Sequence, residues 1–599
     1  MKEGIIYNPI NDKSPQGACR AGGEVCYTLK ISHIHSADEV FLILIDDLDN
    51  SVKRIKMPIV SDADGCYTFK ATLTYENAGL FWYYFEVRFK GGKYFLCKTK
   101  SFDAEPTAEV RESWAQIVYK TEPKTNKAFQ SGVMYHIFVD RFKKSGTVIS
   151  KNSMVLRKDW GGEITENSTD FIKINKECFG GNLQGITNKL DYIKKLGVST
   201  IFLSPIFDAY SYHKYDVADF EHIDTMLGGE EAFDALIKTA KAQGINILLD
   251  GVFNHVGSDS IYFNKLNRFK SQGAYQSKQS KYYDWFTFEE FPDKYSSWWS
   301  IDTLPQFNES NVKLQEYMAG VNGIITKYMK KGILGYRLDV ADELTDPFLD
   351  KICKRTRVNK ADAIILGEVW EDAATKIAYD KRRHYFSGVQ LNSVMNYPLK
   401  NAILEFVCKG NAEALQEAFY LIHDHYPLYV QRNLMNFLGT HDTKRILTVL
   451  DEAAKERGDN ATAINMLKIA SAIQYCAMGV PAVFYGDEVG VHGGEAPFCR
   501  VCFPWGAEDK NILAWYKKLG NLRSGEIFAA GDCKVILAHS GVFIFERTYK
   551  KQRIIIAANS GQEEFLLNLS APFTDFETEK IVKDSVTIKP LQFFILKSS

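Results

Sequence analysis

The sequence predicts a multidomain α/β chain, a (β/α)8 barrel set between an N-terminal and a C-terminal β-sandwich. Three observations predict it. At 599 residues the chain is too long for one hydrophobic core, and length alone suggests several domains. Between residues 132 and 515, eight short apolar runs alternate with helix-length segments. That is the pattern of parallel strands joined by helices, and eight such units close into a barrel. On both sides of this region, short runs alternate apolar and polar residues between turn residues, the period-two signature of sandwiches.

The elements follow in order. In residues 1–105 the runs EVCYTLKIS, VFLILIDD, CYTFKATLTY and GLFWYYFEVRF read as strands of the first sandwich, a candidate carbohydrate-binding or dimerisation module. Residues 106–131 are polar, carry Pro106 and Pro123, and read as a linker. The barrel strands are then VMYHIFVDRF, STIFLSPIF, INILLDGVF, ILGYRLDV, AIILGEVW, SVMNYPL, LMNFLGTHD and PAVFYGDEVG. Helical segments such as EAFDALIKTAKAQG and ITKYMKKG separate most of them. Over residues 256–308 the alternation stops and aromatic, Ser, Lys and Gln residues dominate (KYYDWFTFEEF, YSSWWS). This reads as an excursion after the third strand, and a loop of that length inside a compact domain is usually functional. Residues 516–599 return to short alternating runs (KVILAHS, GVFIFERTY, QRIIIAANS, PLQFFILKS), the second sandwich.

Composition excludes several classes. A formal net charge of −1 leaves no global field for nucleic acid or an anionic membrane. No run approaches the roughly 18 apolar residues of a spanning helix, and MKEGIIYNPINDKSPQG lacks the apolar segment of a secretory signal. The 11 cysteines are odd in number and scattered, which fits reduced thiols and a cytoplasmic location. The lone pair Cys499 and Cys502 reads as an ordinary loop, because tetrahedral zinc usually takes four ligands. An aromatic content of 13% fits a large core or sugar-stacking surfaces.

Four of the barrel runs end abruptly in polar residues: NILLDGVFNH (Asp250, Asn254, His255), GYRLDVADE (Arg337, Asp339, Glu343), IILGEVW (Glu368, Trp370) and FLGTHD (His441, Asp442). In a β/α barrel the catalytic groups sit at the C-terminal strand ends. Carboxylates from three such ends suit glycosidic bond cleavage by an acid and a nucleophile. Asp339 is the candidate nucleophile. Arg337, two residues earlier, shares its face and would hold it ionised. Glu368 is the candidate general acid; the apolar run before it suggests a less polar setting that keeps it protonated. Asp442 would hold a distorted sugar ring by its hydroxyls, with His255 and His441 as hydrogen-bond donors. Singly each motif is weak, since an Arg-Asp pair is often a surface ion pair and an Asn-His after a strand is usually a turn. Four in order after apolar runs are not.

These residues resemble the family 13 glycoside hydrolases, the α-amylase family, whose ordered motifs appear as DGVFNH (250–255), GYRLDVADE (335–343), GEVW (367–370) and FLGTHD (437–442). GGNLQGI (180–186) and LPQFN (304–308) match two further motifs, and HKYD (213–216) resembles the element whose His213 and Tyr215 flank the cleaved sugar. The resemblance covers roughly residues 130–505. It is most specific to the neopullulanase, cyclomaltodextrinase and maltogenic amylase group, through the N-terminal sandwich, HKYD, VMNYP (394–398) and YGDEVGVHGG (485–494). It implies retaining hydrolysis of α-1,4 bonds, some tolerance of α-1,6 bonds, and transglycosylation. The implied substrates are cyclodextrins, maltooligosaccharides, pullulan or starch. Asp250 and Arg337 then belong with the substrate-binding groups, and Glu343 and Trp370 with the acceptor side. It also implies a homodimer in which one chain's N-terminal sandwich covers the other's barrel mouth. The strand FWYYFEV (81–87) is either that contact or sandwich core.

The chain departs from the group in four places. Ala341-Asp342 stands where Asn is common after Ala. The excursion ends in LPQFN rather than MPKLN, and both changes lie near the acceptor side. The segment after the first strand, RFKKSGTVISKNSMVLRKDW, is poor in carboxylates, and Asn182 replaces a common Asp. Calcium wants several oxygen ligands, so no cofactor is expected to be required. Asn254 alone matches a calcium ligand of other amylases. Two other readings stand beside hydrolysis: a transglycosylase on the same fold, and a non-catalytic glucan-binding relative. The second is disfavoured because Asp339, Glu368 and Asp442 are all present.

Overall fold

The computed structural model describes residues 4–151, 154–164, 175–458 and 462–598. Its centre is a TIM barrel of eight parallel strands: β1 (Val133–Ile137), β2 (Val198–Leu203), β3 (Asn246–Gly251), β4 (Gly335–Leu338), β5 (Ile364–Gly367), β6 (Ser393–Val394), β7 (Met435–Phe437) and β8 (Val480–Phe484). The ladder runs β6-β5-β4-β3-β2-β1-β8-β7. Strand residues alternate between two environments, as the pleat requires. Met134, Phe202, Leu248, Ile364, Leu366, Met435, Phe437 and Val480 fill the interior. Tyr135, Ile201, Ile247, Leu249, Tyr336, Leu338 and Ile365 pack outward under the helices. That double burial is why these strands read as continuous apolar runs.

Closure between β6 and β7 is thin. One parallel bridge, Met395 to Met435, joins them, with the Asn396 N–H donating to the Met435 carbonyl at 2.9 Å. Side-chain amides reinforce the seam. Asn396 Nδ2 donates to Asn436 Oδ1 at 2.8 Å, and Gln474 Nε2 donates to the carbonyls of Asn436 and Ala482. Two helices follow β6, α1 (Tyr397–Lys409) and α2 (Ala412–His425). The second is braced by both sandwiches. Phe419 packs edge-on against Phe543 and Phe545 of the C-terminal sheet, each at 5.1 Å. Asp424 pairs with the buried Lys13, and Tyr420 meets Phe102.

The N-terminal sandwich packs a five-stranded sheet on a seven-stranded one around Val25, Tyr27, Leu29, Leu42, Phe85 and Trp114. The stretch read as a linker contributes strand residues to it. Ala104–Thr107 pairs with Gly92–Lys98, and Trp114–Tyr119 pairs with Gly79–Phe89. Trp114 and Ala115 are fully buried. Pro106 is accommodated because its strand is the sheet edge, where a missing N–H is tolerated. The strand containing FWYYFEV lies between three neighbours, and Phe81, Tyr83, Phe85 and Val87 face the sandwich core. At the other boundary, helix Lys510–Leu522 straddles 515/516, and the C-terminal sheet begins with Asp532–His539. Among the described residues no helix is long and apolar enough to cross a membrane.

The excursion from His255 to Asn308 holds only short 3-10 turns and a hairpin, Phe288–Glu290 with Lys294–Tyr295. Its cohesion is aromatic. Tyr262, Phe263, Trp285, Phe286 and Phe307 are buried in contact with one another.

Candidate active site

Strand register assembles the charged centre. Asp250 on β3 lies opposite Arg337 on β4, and Arg337 lies opposite Leu366 on β5. Two residues on, Asp339 and Glu368 are therefore neighbours on the same face. Arg337 is 1% exposed. Its Nη1 donates to Asp250 Oδ1 at 2.9 Å and Asp339 Oδ1 at 2.7 Å, while Nη2 lies 2.8 Å from Glu368 Oε2. One guanidinium thus serves three carboxyls.

Arg337 pairs with Asp339 as expected, but burial acts on that carboxyl as well. Burial pushes the Asp339 carboxyl well above the ordinary range. Arg337 opposes this, but the charges of Glu368 and Asp250 reinforce it. The one guanidinium is shared among all three carboxyls. The setting of Glu368 is also more polar than the run before it suggests. Oε2 accepts from the Val340 N–H at 2.8 Å and Oε1 from Trp370 Nε1 at 3.1 Å. Val340 has φ 40 and ψ 56, a left-handed conformation costly for a β-branched residue. That strained turn aims its N–H at Glu368.

A second chain of bonds runs beneath the cleft. Tyr215 donates its hydroxyl proton to Asp250 Oδ2 at 2.9 Å and lies 2.6 Å from His441 Nε2. His441 Nε2 is 3.0 Å from Asp442 Oδ2, and Arg500 Nη2 is 3.1 Å from Asp442 Oδ1. Burial pushes Asp442 upward, but His441, Arg500 and Arg337 outweigh it and hold the carboxylate well below its usual range. Burial depresses both His213 and His255, the latter to about 4, so each is neutral at pH 7. His213 Nδ1 accepts the Tyr215 N–H at 3.1 Å, which leaves Nε2 as its donor. His255 Nδ1 lies 3.2 Å from Asn254 Nδ2, and Nε2 is buried.

His213, Tyr215, His255, Asp339, Glu343, Glu368, Trp370, His441 and Asp442 all line one cleft of about 550 Å³ at the strand ends. Asp250 and Arg337 lie beneath it and act through Asp339 and Tyr215. Three lining residues were missed in the sequence. Arg500, between the two cysteines of the lone CxxC, anchors Asp442, and Cys499 Sγ donates to the His441 carbonyl. Trp298 and Trp299 come from the excursion; the WW pair was the signal for them.

At the two positions compared with calcium ligands, the side chains have partners within the protein. Asn182 Oδ1 caps its helix at Gly185, and its Nδ2 donates to the Ser145 carbonyl. Asn254 Oδ1 accepts from Gln306. Asp140 accepts from Arg141 and from the N–H groups of Phe179 and Gly180. Among the described residues, the acids Asp208 and Asp224 already hold the ammonium of Lys151, and Asp224 also that of Lys214.

Residues 136–521 match the family model for the α-amylase catalytic domain. The chain belongs to the α-amylase family of glycoside hydrolases. Within this family it is 30% identical to a cyclomaltodextrinase of Thermoanaerobacter pseudethanolicus, over 94% of this chain and 95% of that protein. It is 31% identical to an amylopullulanase of Thermoanaerobacter thermohydrosulfuricus, over 96% of this chain. The chain spans less than half the length of the amylopullulanase relatives it matches, 42% in that case. A solved cyclomaltodextrinase shares the fold over the full length of both chains, with a TM-score of 0.71 at 22% identity.

Proposed function

We propose that this α-amylase relative is a retaining α-glucan hydrolase that cleaves α-1,4 bonds, with some α-1,6 activity, in cyclodextrins, maltooligosaccharides, pullulan or starch. The observation that carries the reading is the convergence of Asp339, Glu368 and Asp442 on one cleft over the shared Arg337. Glu368 protonates the leaving oxygen while the Asp339 carboxylate, beside Arg337, attacks the anomeric carbon, giving a covalent glycosyl-enzyme. Glu368 then takes a proton from the incoming water, which displaces Asp339. Asp442, held charged by His441 and Arg500, accepts hydrogen bonds from sugar hydroxyls. His255 Nε2 and His213 Nε2 donate to other hydroxyls of the same ring.

Asn182 Oδ1 and Asn254 Oδ1 each accept a hydrogen bond within the protein, from Gly185 and Gln306, which supports a scheme that runs without a metal. A cytoplasmic location fits the eleven free thiols. The test is a side-by-side initial rate on γ-cyclodextrin, pullulan and soluble starch, with Glu368→Gln as blank. Faster cleavage of cyclodextrin and pullulan supports a constricted cleft. Faster cleavage of starch overturns that preference, and no cleavage of any of them overturns the reading.

A further inference from the structure

Two features of the cleft rim are unexplained by folding. Trp299 is 71% exposed and sits at φ 48, ψ 34, followed by Ser300 at φ 61. Tyr379 is 65% exposed and, with Asp380, forms the tip of a hairpin (Ile377–Ala378 with Lys381–Arg382) at φ 52 and φ 59. Two consecutive positive φ values define the tight hairpin turn that normally selects Asn and Gly. A tryptophan and a tyrosine in left-handed backbone, both facing water, gain nothing from core burial.

Their polar atoms meet at one carboxylate. Trp299 Nε1 donates to Glu343 Oε1 at 3.1 Å, and Tyr379 Oη donates to the same oxygen at 2.6 Å. Glu343 and Trp299 line the cleft, and Tyr379 supports Glu343 from behind. One face of Trp299 stacks on Trp298, with centroids 4.9 Å apart, and Trp298 stacks on His255 at 5.3 Å. An aromatic wall therefore runs outward from His255 and ends on an indole in solvent. A sugar ring offers an apolar face and hydroxyls, which match an aromatic face beside a carboxylate.

The hairpin is anchored on the N-terminal sandwich. Arg382 Nε and Nη2 donate to Asp47 Oδ2 and Oδ1, each at 2.8 Å, and Trp82 Nε1 donates to Asp47 Oδ1 at 2.8 Å. Arg382 also donates to the Thr375 carbonyl at the hairpin base. A bidentate pair fixes orientation as well as distance. The order of contact is Asp47, Arg382, the hairpin, Tyr379, Glu343, and then the cleft.

We propose that Trp299 joins Glu343, which the family resemblance already places on the acceptor side, in contacting an incoming sugar. The N-terminal sandwich of the same chain positions that contact through Asp47, Arg382 and Tyr379, and so sets how often the glycosyl-enzyme is captured by a sugar rather than by water. This rests on the retaining reading above. Trp299 contacts the acceptor; Asp47, Arg382 and Tyr379 are positioning residues.

The test follows the ratio of transfer to hydrolysis products from p-nitrophenyl α-maltoside with added glucose, and the KM for that glucose. Both products come from one intermediate, so the ratio does not depend on how fast the intermediate forms. Trp299→Ala and Tyr379→Phe are expected to lower the ratio about 3- to 10-fold, the scale of one aromatic or hydrogen-bond contact. Asp47→Ala is expected to match Tyr379→Phe, Asp47→Glu to recover part of the loss, and the Asp47→Ala/Tyr379→Phe pair to be no worse than Tyr379→Phe. Tyr379→Phe removes one oxygen at an exposed turn and keeps the test free of folding defects. An unchanged ratio in Trp299→Ala and Tyr379→Phe overturns the proposal. An unchanged ratio in Asp47→Ala with only a lowered Tm overturns the role of the sandwich. Absence of p-nitrophenol release by the wild type instead overturns the hydrolase reading itself.

Discussion

Replacing Arg337 by Met tests whether one guanidinium holds the charged centre together. The side chain is buried, donates to Asp250 and Asp339, and contacts Glu368. Hydrogen bonds to charged groups contribute about 1.5–3 kcal/mol each, and removing one partner of a buried ion pair costs about 3–5 kcal/mol. The expected loss at pH 8 is therefore roughly 3–5 kcal/mol. It must shrink at pH 5. Burial already raises Asp339 and Asp250, and loss of the cation raises them further. A carboxyl raised in the folded state contributes stability that is complete below its unfolded value, near 3.9, and lost as pH rises through its folded value. The variant's deficit thus grows from pH 5 to pH 8, by about 1.4 kcal/mol for each further unit of upward shift. Urea unfolding at the two pH values, followed by circular dichroism and tryptophan fluorescence, measures it. A chain of several domains need not unfold in one step, and a sandwich transition that stays in place serves as internal reference. A deficit equal at both pH values, or below about 1 kcal/mol at pH 8, would refute the shared-cation argument.

Two further outcomes are expected. Burial lowers His255 from the ordinary histidine value to about 4. Between roughly pH 6.5 and 4 the unfolded chain therefore binds a proton that the folded chain refuses, and stability falls with pH by up to about 3 kcal/mol. His255→Gln should flatten the fall in Tm over that window, and parallel curves would show that His255 is not its source. With Lys151 and Lys214 pairing the acids Asp208 and Asp224, excess EDTA should leave both Tm and kcat unchanged. A drop restored by added calcium would contradict the assignment.

The parallel strands of the barrel were legible because burial on both faces writes them as apolar runs that stop where the strand end meets the cleft. That property alone located Asp250, Arg337, Asp339, Glu368 and Asp442. It works only where function sits on a strand terminus. Trp299, Tyr379 and Arg500 sit on loops, and their places depend on how the excursion and the hairpin fold, which periodicity does not encode. The run WAQIVY was hidden because the prolines around it outweighed six residues of strand signal, though its Trp114 is buried in the sandwich. The charge around Asp339 was only partly legible: two residues of spacing reveal Arg337, but not the two other carboxyls that share it.

The thin seam between β6 and β7 changes what the flanking sandwiches are for. Where backbone pairing reduces to one bridge, the wall is kept shut from outside, by α2 wedged between Phe543 and Phe545 on one side and Lys13 and Phe102 on the other. The sandwiches act as hoops on a cask whose staves do not fully meet. Trimming either one away should not release a smaller working barrel. It should loosen the cask at that joint first, with amide exchange at Met395, Asn396 and Met435 rising before the rest of the wall. Domains that look detachable in the chain are, in this sense, part of the vessel that holds the substrate.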